Sequence, residues 1–151
     1  MRRKEQEITE RSEIDEIISA SKVFRLAMVD GDKPYMVPLN FGYDGKVLYI
    51  HCARDGKKID VLKKNDNVCF EFEDIGEVEE SDKPCNWGIK YRSVIGIGKA
   101  VFLEDMEAKK HGLDIIVKQY SDREFQFEDR MVAGVTVMRI DIEEITGKRS
   151  S

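Results

Sequence analysis

The chain has 151 residues, of which 41% are hydrophobic and 36% are charged, and its formal net charge is −5 at pH 7. This composition is typical of a globular protein, and the length predicts a single domain over residues 1–151. An acidic chain is a poor candidate for binding nucleic acid, which requires an excess of basic residues on one face. No apolar run approaches the roughly 20 residues that cross a bilayer, so we expect a cytoplasmic protein with no membrane partner.

Three cysteines, Cys52, Cys69 and Cys85, are an odd number and show no Cys-x-x-Cys spacing. This argues against both a disulfide framework and a closed zinc site. We therefore expect free thiols in a reducing compartment and no bound metal.

The first third of the chain predicts one helix and the start of a sheet. Isoleucines at helical spacing predict a short amphipathic helix that ends near Ala20, with Ser12 and Asp15 resembling a capping box at its start. The apolar run over residues 23–29, closed by Asp30-Gly31-Asp32, predicts a first strand that enters a hairpin.

Two further strands surround a strong turn signal. Residues 35–41 predict a second strand in which Pro38 lacks an N–H donor and therefore requires an edge, a bulge or a facing ligand. Asp44-Gly45 predicts a type I′ turn, with both residues at positive φ, leading into a third strand over residues 47–52. Alternation places His51 at the end of a mostly buried row. It is either a satisfied core residue or a proton donor and acceptor at neutral pH.

A basic loop follows the third strand. The run Ala53-Arg54-Asp55-Gly56-Lys57-Lys58 leads into a short helix in which Ile59 and Leu62 share one face. A glycine-bearing loop that opens into a helix presents backbone N–H groups and the positive end of the helix dipole, so three nearby cations suit a phosphate. The alternative is that these cations are simply solvated.

The second half of the chain predicts three more strands. Alternation over residues 68–72 predicts a fourth strand, followed by a solvated acidic loop over residues 73–84. The fifth and longest strand ends at Phe102, and Gly96 and Gly98 on one of its faces mark a close approach of backbone or ligand.

One more helix precedes the sixth strand. Asp105 caps a helix that reaches Tyr120, with His111 exposed off its apolar stripe. A loop over residues 122–130 leads to the sixth strand over residues 135–142 and a closing tail. Six strands joined by hairpin turns, with few helices, favour a mainly β antiparallel barrel over alternating βαβ units.

The motifs PLNFGY, LYIHCA, GKKIDVL and NVCFEF stand in this order along the chain. Together they resemble the FMN-binding split-barrel proteins related to pyridoxamine-phosphate oxidase, and most closely the nitroimidazole-resistance (Nim-type) branch. The likeness runs from MRRKEQEIT through SVIGIGKA to EITGKRS. It implies a six-stranded antiparallel split β-barrel, an FMN cofactor, a homodimer with two sites at the subunit interface, and electron-transfer chemistry.

The resemblance also implies roles for individual residues. His51 lies beside the flavin as the candidate catalytic group, and the ring lies along the strand that contains Pro38. Trp87 approaches the site of the partner subunit, with a buried interface anchor as the alternative. On chemical grounds, a donor near the pyrimidine end of the ring favours the reduced flavin, and Ser93 or Lys99 is the candidate that would supply this hydroxyl or charge. The candidate cofactor-binding residues are Val37, Pro38, Leu39, Asn40, His51, Cys52, Ala53, Arg54, Lys57, Lys58, Trp87 and Ser93.

The leading functional hypothesis is an FMN-dependent oxidoreductase that reduces small electron-poor organic compounds, with nitroaromatics such as nitroimidazoles as the candidate substrates. The first alternative is pyridoxamine 5′-phosphate oxidase activity, which is weaker because the ending VTVMRIDIEEITGKRS lacks the arginine-rich, tryptophan-bearing end of the true oxidases. The second alternative is a non-catalytic flavin or haem binder, since related families hold haem or a deazaflavin. The physiological substrate and electron donor stay open.

Overall fold

A computed structural model describes residues 3–150 of the chain as one antiparallel sheet with four α-helices packed against it. The strands are β1 (Glu7–Ile8), β2 (Phe24–Asp30), β3 (Lys33–Leu39), β4 (Gly42–Tyr43), β5 (Val47–Cys52), β6 (Asn67–Glu79), β7 (Gly88–Phe102) and β8 (Thr136–Arg149). The helices are α1 (Arg11–Ala20), α2 (Lys57–Lys64), α3 (Met106–Lys118) and α4 (Asp129–Ala133). Among the described residues, no helix has the length and apolar character needed to cross a membrane.

The strand order shows how the sheet curls. Hydrogen-bonded neighbours follow the order β3-β2-β6-β7-β8-β5-β4, and β1 pairs with β8. The two ends of this path, β3 and β4, are separated in sequence only by Asn40 and Phe41, which allows them to lie at most about 11 Å apart. The sheet must therefore bend round until its two ends approach each other without pairing. This is the mainly β split barrel that the sequence predicts.

Aromatic packing fixes the link between the two ends. Phe41 is fully buried, and its ring lies 4.9 Å from that of Phe72, edge to face. Phe72 in turn stacks on Phe24 at 5.4 Å. Rings from β2, β6 and the linking segment thus meet at the centre of the barrel, where aromatic pairs add to the free energy of burial.

The six predicted strands are β2, β3, β5, β6, β7 and β8, and all are present. The described residues form eight strands, two more than predicted, because they also include β1 and β4. These two strands have two residues each and are too short to show alternation. The prediction of an acidic loop over residues 73–84 is wrong up to Glu79, because these residues continue β6. The prediction of a closing tail is also wrong, because that segment is the second half of β8. Both segments carry charge on exposed faces, so only backbone pairing to β7 identifies them as strands.

The prediction that Asp105 caps α3 is confirmed. The prediction that Ser12 and Asp15 form a capping box at the start of α1 is wrong. The Asp105 carboxylate accepts a hydrogen bond from the Ala108 N–H at 3.0 Å. By contrast, α1 begins after Glu10 with no side-chain cap, and Ser12 lies inside the helix. Asp15 accepts a hydrogen bond from the Tyr43 hydroxyl at 2.6 Å instead, which ties α1 to β4.

The Asp44-Gly45 turn also differs from its prediction. Gly45 has a φ of 91°, but Asp44 does not have a positive φ, so this is not a type I′ turn. The Asp44 carboxylate accepts hydrogen bonds from the N–H groups of Lys46 and Val47, each at 2.9 Å. The aspartate side chain thus organises the turn in the manner of an Asx turn.

The close approach predicted at Gly96 and Gly98 of β7 is made by other parts of the same chain. A side chain at Gly96 would clash with the Phe70 ring, and one at Gly98 would clash with the carbonyl of Asp141. Gly98 lies at a register shift between β7 and β8. These two glycines therefore allow close packing within the barrel.

Candidate functional site

The unpaired gap between the two ends of the sheet, which we call the split, is the candidate site. β3 pairs with β2 along one edge, and its other edge has no strand partner among the described residues. β4 covers β5 only at Leu48 and Tyr49, so the last residues of β5 are open on that side. Pro38 therefore lies on an edge strand, as its missing N–H predicts.

The edge strand presents two different faces. Tyr35, Val37 and Leu39 point inward and pack against the core. Pro38 and Asn40 are exposed. An apolar layer thus supports the strand from inside, while unpaired backbone groups and the Asn40 amide are available to a ligand in the split.

The start of α2 closes one end of the split. The Lys57 ammonium lies 3.2 Å from the Asp30 carboxylate and 4.5 Å from the centre of the Tyr35 ring. These contacts join the segment after β5 to β2 and β3, across the gap. Gly56 is the N-cap residue with a φ of 146°, and no side chain caps the helix. The free N–H groups of the first turn therefore remain available to an anion.

His51 and Cys52 end β5 beside Lys58. All three side chains are half-buried. Burial lowers the pKa of His51 below its ordinary value, and the Lys58 charge lowers it further. Burial raises the pKa of the Cys52 thiol, with the Lys58 charge opposing it. At neutral pH, His51 is therefore a neutral imidazole and Cys52 a protonated thiol.

The three predicted phosphate-binding cations have different surroundings, and only Arg54 lines a separate cavity. Lys57 is held toward Asp30 on β2, and Lys58 acts on His51 and Cys52 at the end of β5. Arg54 instead lines an adjoining cavity with Lys63 and Lys109. Ala53 is exposed in the loop between β5 and α2.

Ser93 lies far from this end of the barrel within one copy of the chain. His51 pairs with Val137 of β8, and Ser93 pairs with Lys148 of the same strand. Eleven residues of extended strand have a contour length of roughly 35 Å, and the two residues are paired near opposite ends of β8. Lys99, the alternative to Ser93, is held by Asn67 at 2.7 Å.

Trp87 also stands apart from the split. It immediately precedes β7, its side chain is 54% exposed, and its indole N–H donates to the carbonyl of Ser81 at 2.6 Å. Because β7 leads from Trp87 toward Ser93, both residues belong to the far end of the sheet.

Two residues near the candidate site, Asp30 and Lys63, were not predicted from the sequence. Asp30, which positions Lys57, looks like an ordinary turn residue, and no local signal marks its contact across the split. Lys63 was also missed, although it follows Ile59 by four residues and therefore shares its helix face. That spacing was a usable signal.

Comparison with known proteins places the chain in a family. The family model described as pyridoxamine 5′-phosphate oxidase matches residues 10–149. The chain therefore belongs to the pyridoxamine 5′-phosphate oxidase-like family, which confirms the resemblance seen in its motifs.

Several solved structures share the fold. A Bacteroides thetaiotaomicron protein named for 5-nitroimidazole antibiotic resistance is 34% identical, with 95% of this chain and 86% of that chain covered and a TM-score of 0.84. A FAD-binding protein from Mesorhizobium loti is 26% identical, with coverage of 94% and 96% and a TM-score of 0.70. A flavocytochrome from Azotobacter vinelandii has a TM-score of 0.87 at 17% identity, with coverage of 100% and 72%. At that identity it shows the fold alone.

One curated relative matches in part. An uncharacterized protein of Rhizobium meliloti is 31% identical over 65 residues, which is 43% of this chain. The match spans 42% of that relative, less than half of its length.

Proposed function

We propose that the protein is an FMN-dependent oxidoreductase that reduces small electron-poor organic compounds, with nitroaromatics such as nitroimidazoles as its substrate class. The observation that carries this proposal is the 34% identity, over 95% of the chain, to a protein named for 5-nitroimidazole antibiotic resistance. The open split and the groups around it support the proposal, because they offer what a flavin mononucleotide requires.

The donor set at the split fits this cofactor. Lys57 and Lys58 stand at the uncapped N-terminus of α2, a combination that suits a phosphate. The free edge of β3 offers backbone groups to the polar edge of a ring system, and Val37 and Leu39 support that strand from the core. When bound, FMN would supply the electrons for reduction of the substrate.

The chain's own residues would bind the flavin, orient it and supply a proton. The Lys57 ammonium lies 3.2 Å from the Asp30 carboxylate in an exposed ion pair, which is weak enough for a bound phosphate to take over this cation. His51 is the group that can hold or deliver a proton at a ring nitrogen. Cys52 keeps its proton because burial raises the pKa of the thiol, so it is a poor nucleophile.

We also propose a homodimer with two such sites at the subunit interface. The outer face of the sheet exposes Val29, Ile95 and Ile97, at 41%, 49% and 41%. A largely apolar cavity of about 530 Å³ lies beside Val29 and Ile97. A second copy seated on this face would cover these side chains, and it would bring Ser93 or Trp87 to a split that they do not reach within their own copy.

The test begins with the absorption spectrum of the purified protein and the identity of any flavin released by heat. FMN-loaded protein is then reduced without oxygen and mixed with a nitroimidazole. We expect the protein-bound flavin to be reoxidised at least about ten-fold faster than free reduced FMN at the same concentration. Reoxidation no faster than that of free FMN contradicts the proposal.

The alternatives give different outcomes in the same preparation. Pyridoxamine 5′-phosphate oxidase activity is favoured by the family match, and it would release hydrogen peroxide when pyridoxamine 5′-phosphate is added. A haem binder would show a Soret band instead of flavin bands. A flavin-loaded protein that reduces neither class of compound would be a non-catalytic binder.

A further inference from the structure

A second cavity is lined in part by Arg54 and Asp55, in the loop between β5 and α2. It has a volume of about 330 Å³ and is enclosed by α2, the end of β7, the start of α3 and the start of β8. This is the small end of the range of about 300–1,000 Å³ found for ligand pockets, so it suits one nucleotide better than a whole dinucleotide. The proposed reduction does not use this cavity.

Three cations line the cavity. Arg54 and Lys63 have no carboxylate within 4.0 Å in the part of the chain that the structure describes. Lys109 donates one hydrogen bond to the Val135 carbonyl at 2.7 Å, which fixes its ammonium and leaves two donors free. Asp55 and Glu104 also line the cavity, so the cations exceed the carboxylates by one. Convergent, mostly unpaired cations in a concave space attract an anion.

A smaller part of the cavity lining is apolar. Ile59 is 3% exposed, and Phe102, Leu103 and Val135 complete the apolar lining. Thr136 adds a hydroxyl that can donate or accept. The lining is mostly polar, so the cavity offers cations to a phosphate and hydrogen-bonding groups to a ribose, with Phe102 and Leu103 as a smaller contact for a base.

We propose that this cavity binds the adenosine phosphate part of a dinucleotide. Arg54 and Lys57 are three residues apart, so their Cα atoms lie within about 11 Å. A phosphate on the α2 N-terminus would therefore stand close to the Arg54 side of the cavity. Two sources share this chemistry: the adenylate half of FAD bound in place of FMN, and a nicotinamide dinucleotide that donates electrons. The first source rests on the proposed flavin site, whereas the second does not require a flavin for binding.

The test uses ADP as the probe and Lys63→Gln as the main variant, because Lys63 lies outside the flavin phosphate corner. Lys64→Gln is the matched control, since it removes the same charge from the next position of α2 and does not line the cavity. Calorimetric titration of ADP is done on flavin-free and on FMN-loaded protein. We expect ADP to bind the wild type, at least about ten-fold weaker binding in Lys63→Gln, and a change within about two-fold in Lys64→Gln.

Affinities for FAD and FMN then separate the two sources. If the cavity takes the tail of FAD, wild type binds FAD at least about ten-fold more tightly than FMN, and Lys63→Gln brings that ratio close to one. If it takes a separate donor, the ratio is near one in every variant and FMN-loaded protein still binds ADP. Retained thermal unfolding midpoints show that both variants are folded.

Three results decide against this inference or against the proposed function. The inference is overturned if wild type binds no ADP and shows no preference for FAD, or if Lys63→Gln and Lys64→Gln lower the affinities equally. If wild type binds neither flavin while ADP binding depends on Lys63, the nucleotide cavity stands and the flavin-dependent function fails.

Discussion

His51 is the residue whose protonation state most directly links the site to its proposed chemistry. Its pKa lies below the ordinary value of 6.5 because of burial and the Lys58 charge. The protonated imidazole therefore becomes abundant only under acidic conditions. If His51 delivers the proton, reoxidation of the reduced protein by a nitroimidazole should accelerate as the pH falls from about 8 to about 5.

The His51→Gln variant checks this pH dependence. Glutamine keeps a hydrogen-bonding side chain but does not titrate, so the rise in rate at low pH should disappear while the flavin remains bound. Rapid-mixing measurements across the pH range supply both profiles. Wild type and variant with the same pH profile would exclude His51 as the proton donor.

Lys58 provides a second prediction at this scale. Its charge opposes protonation of His51, so Lys58→Gln should raise the pKa of His51 toward its ordinary value. The measurement is an NMR titration of the imidazole C–H signals. The chain has two histidines, and the exposed His111 serves as an internal reference. Lys64→Gln is the control, and an unchanged pKa of His51 in Lys58→Gln would show that the two groups are not coupled.

The same variant should weaken FMN binding. Loss of one charge-assisted contact to a phosphate lowers affinity by about ten-fold. Both effects come from one substitution, but they are independent, since the NMR titration is done on flavin-free protein.

At the scale of elements, the packing of α3 on β4 limits what the barrel tolerates. A Cβ at Gly42 would lie 2.5 Å from the Ile116 nitrogen and 2.7 Å from the Ile115 carbonyl oxygen. These are helix backbone atoms, which cannot move aside as a side chain can. Gly42→Ala should therefore destabilise the protein by about 2–3 kcal/mol, as overpacking does.

Gly88→Ala is the matched control for this substitution. The nearest atom to its Cβ would be a Glu79 carboxylate oxygen at 3.6 Å, which is ordinary contact, so the change in unfolding free energy should stay within about 0.5 kcal/mol. Urea unfolding of both variants makes the comparison. Equal stability of the two would mean that α3 is not held against β4 in the way the geometry indicates.

The elements also show what reasoning from the sequence can and cannot reach. The six long strands were predictable because apolar and polar residues alternate along them. The two-residue strands β1 and β4 were not, because two residues are too few to show alternation, and β1 also depends on the distant partner Lys148. Residues 73–79 looked like a loop because they are charged, and they form a strand because β7 supplies their hydrogen-bonding partners.

The candidate site was predictable to a similar extent. The basic loop, the edge proline and the histidine at the end of β5 were all visible as local patterns. The directions of the cations were not, because successive helix residues point about 100° apart and their partners come from elsewhere. Lys57 meets Asp30 from β2, while Arg54 shares a cavity with Lys109 from α3.

At the scale of the whole molecule, one copy of the barrel holds the candidate groups at two separate ends. The β8 register places His51 and Ser93 eleven residues apart, near opposite ends of this strand, so in the proposed dimer a second copy supplies Ser93 to the site. The exposed Ile95 and Ile97 on the outer face of β7 offer a surface on which that second copy can sit. Assembly and cofactor binding are therefore coupled in the proposed function.

This coupling gives the last prediction. Ile97→Glu places a charge on the proposed interface, where burial without a partner is unfavourable, so it should convert a dimer into a monomer in sedimentation velocity. Met131→Glu, on an exposed α4 side chain, should leave the dimer intact. The monomeric variant should also bind FMN at least about ten-fold more weakly, because each site would lose the residues of its neighbour. If the wild type sediments as a monomer and still binds FMN tightly, both the proposed dimer and its role in FMN binding are contradicted.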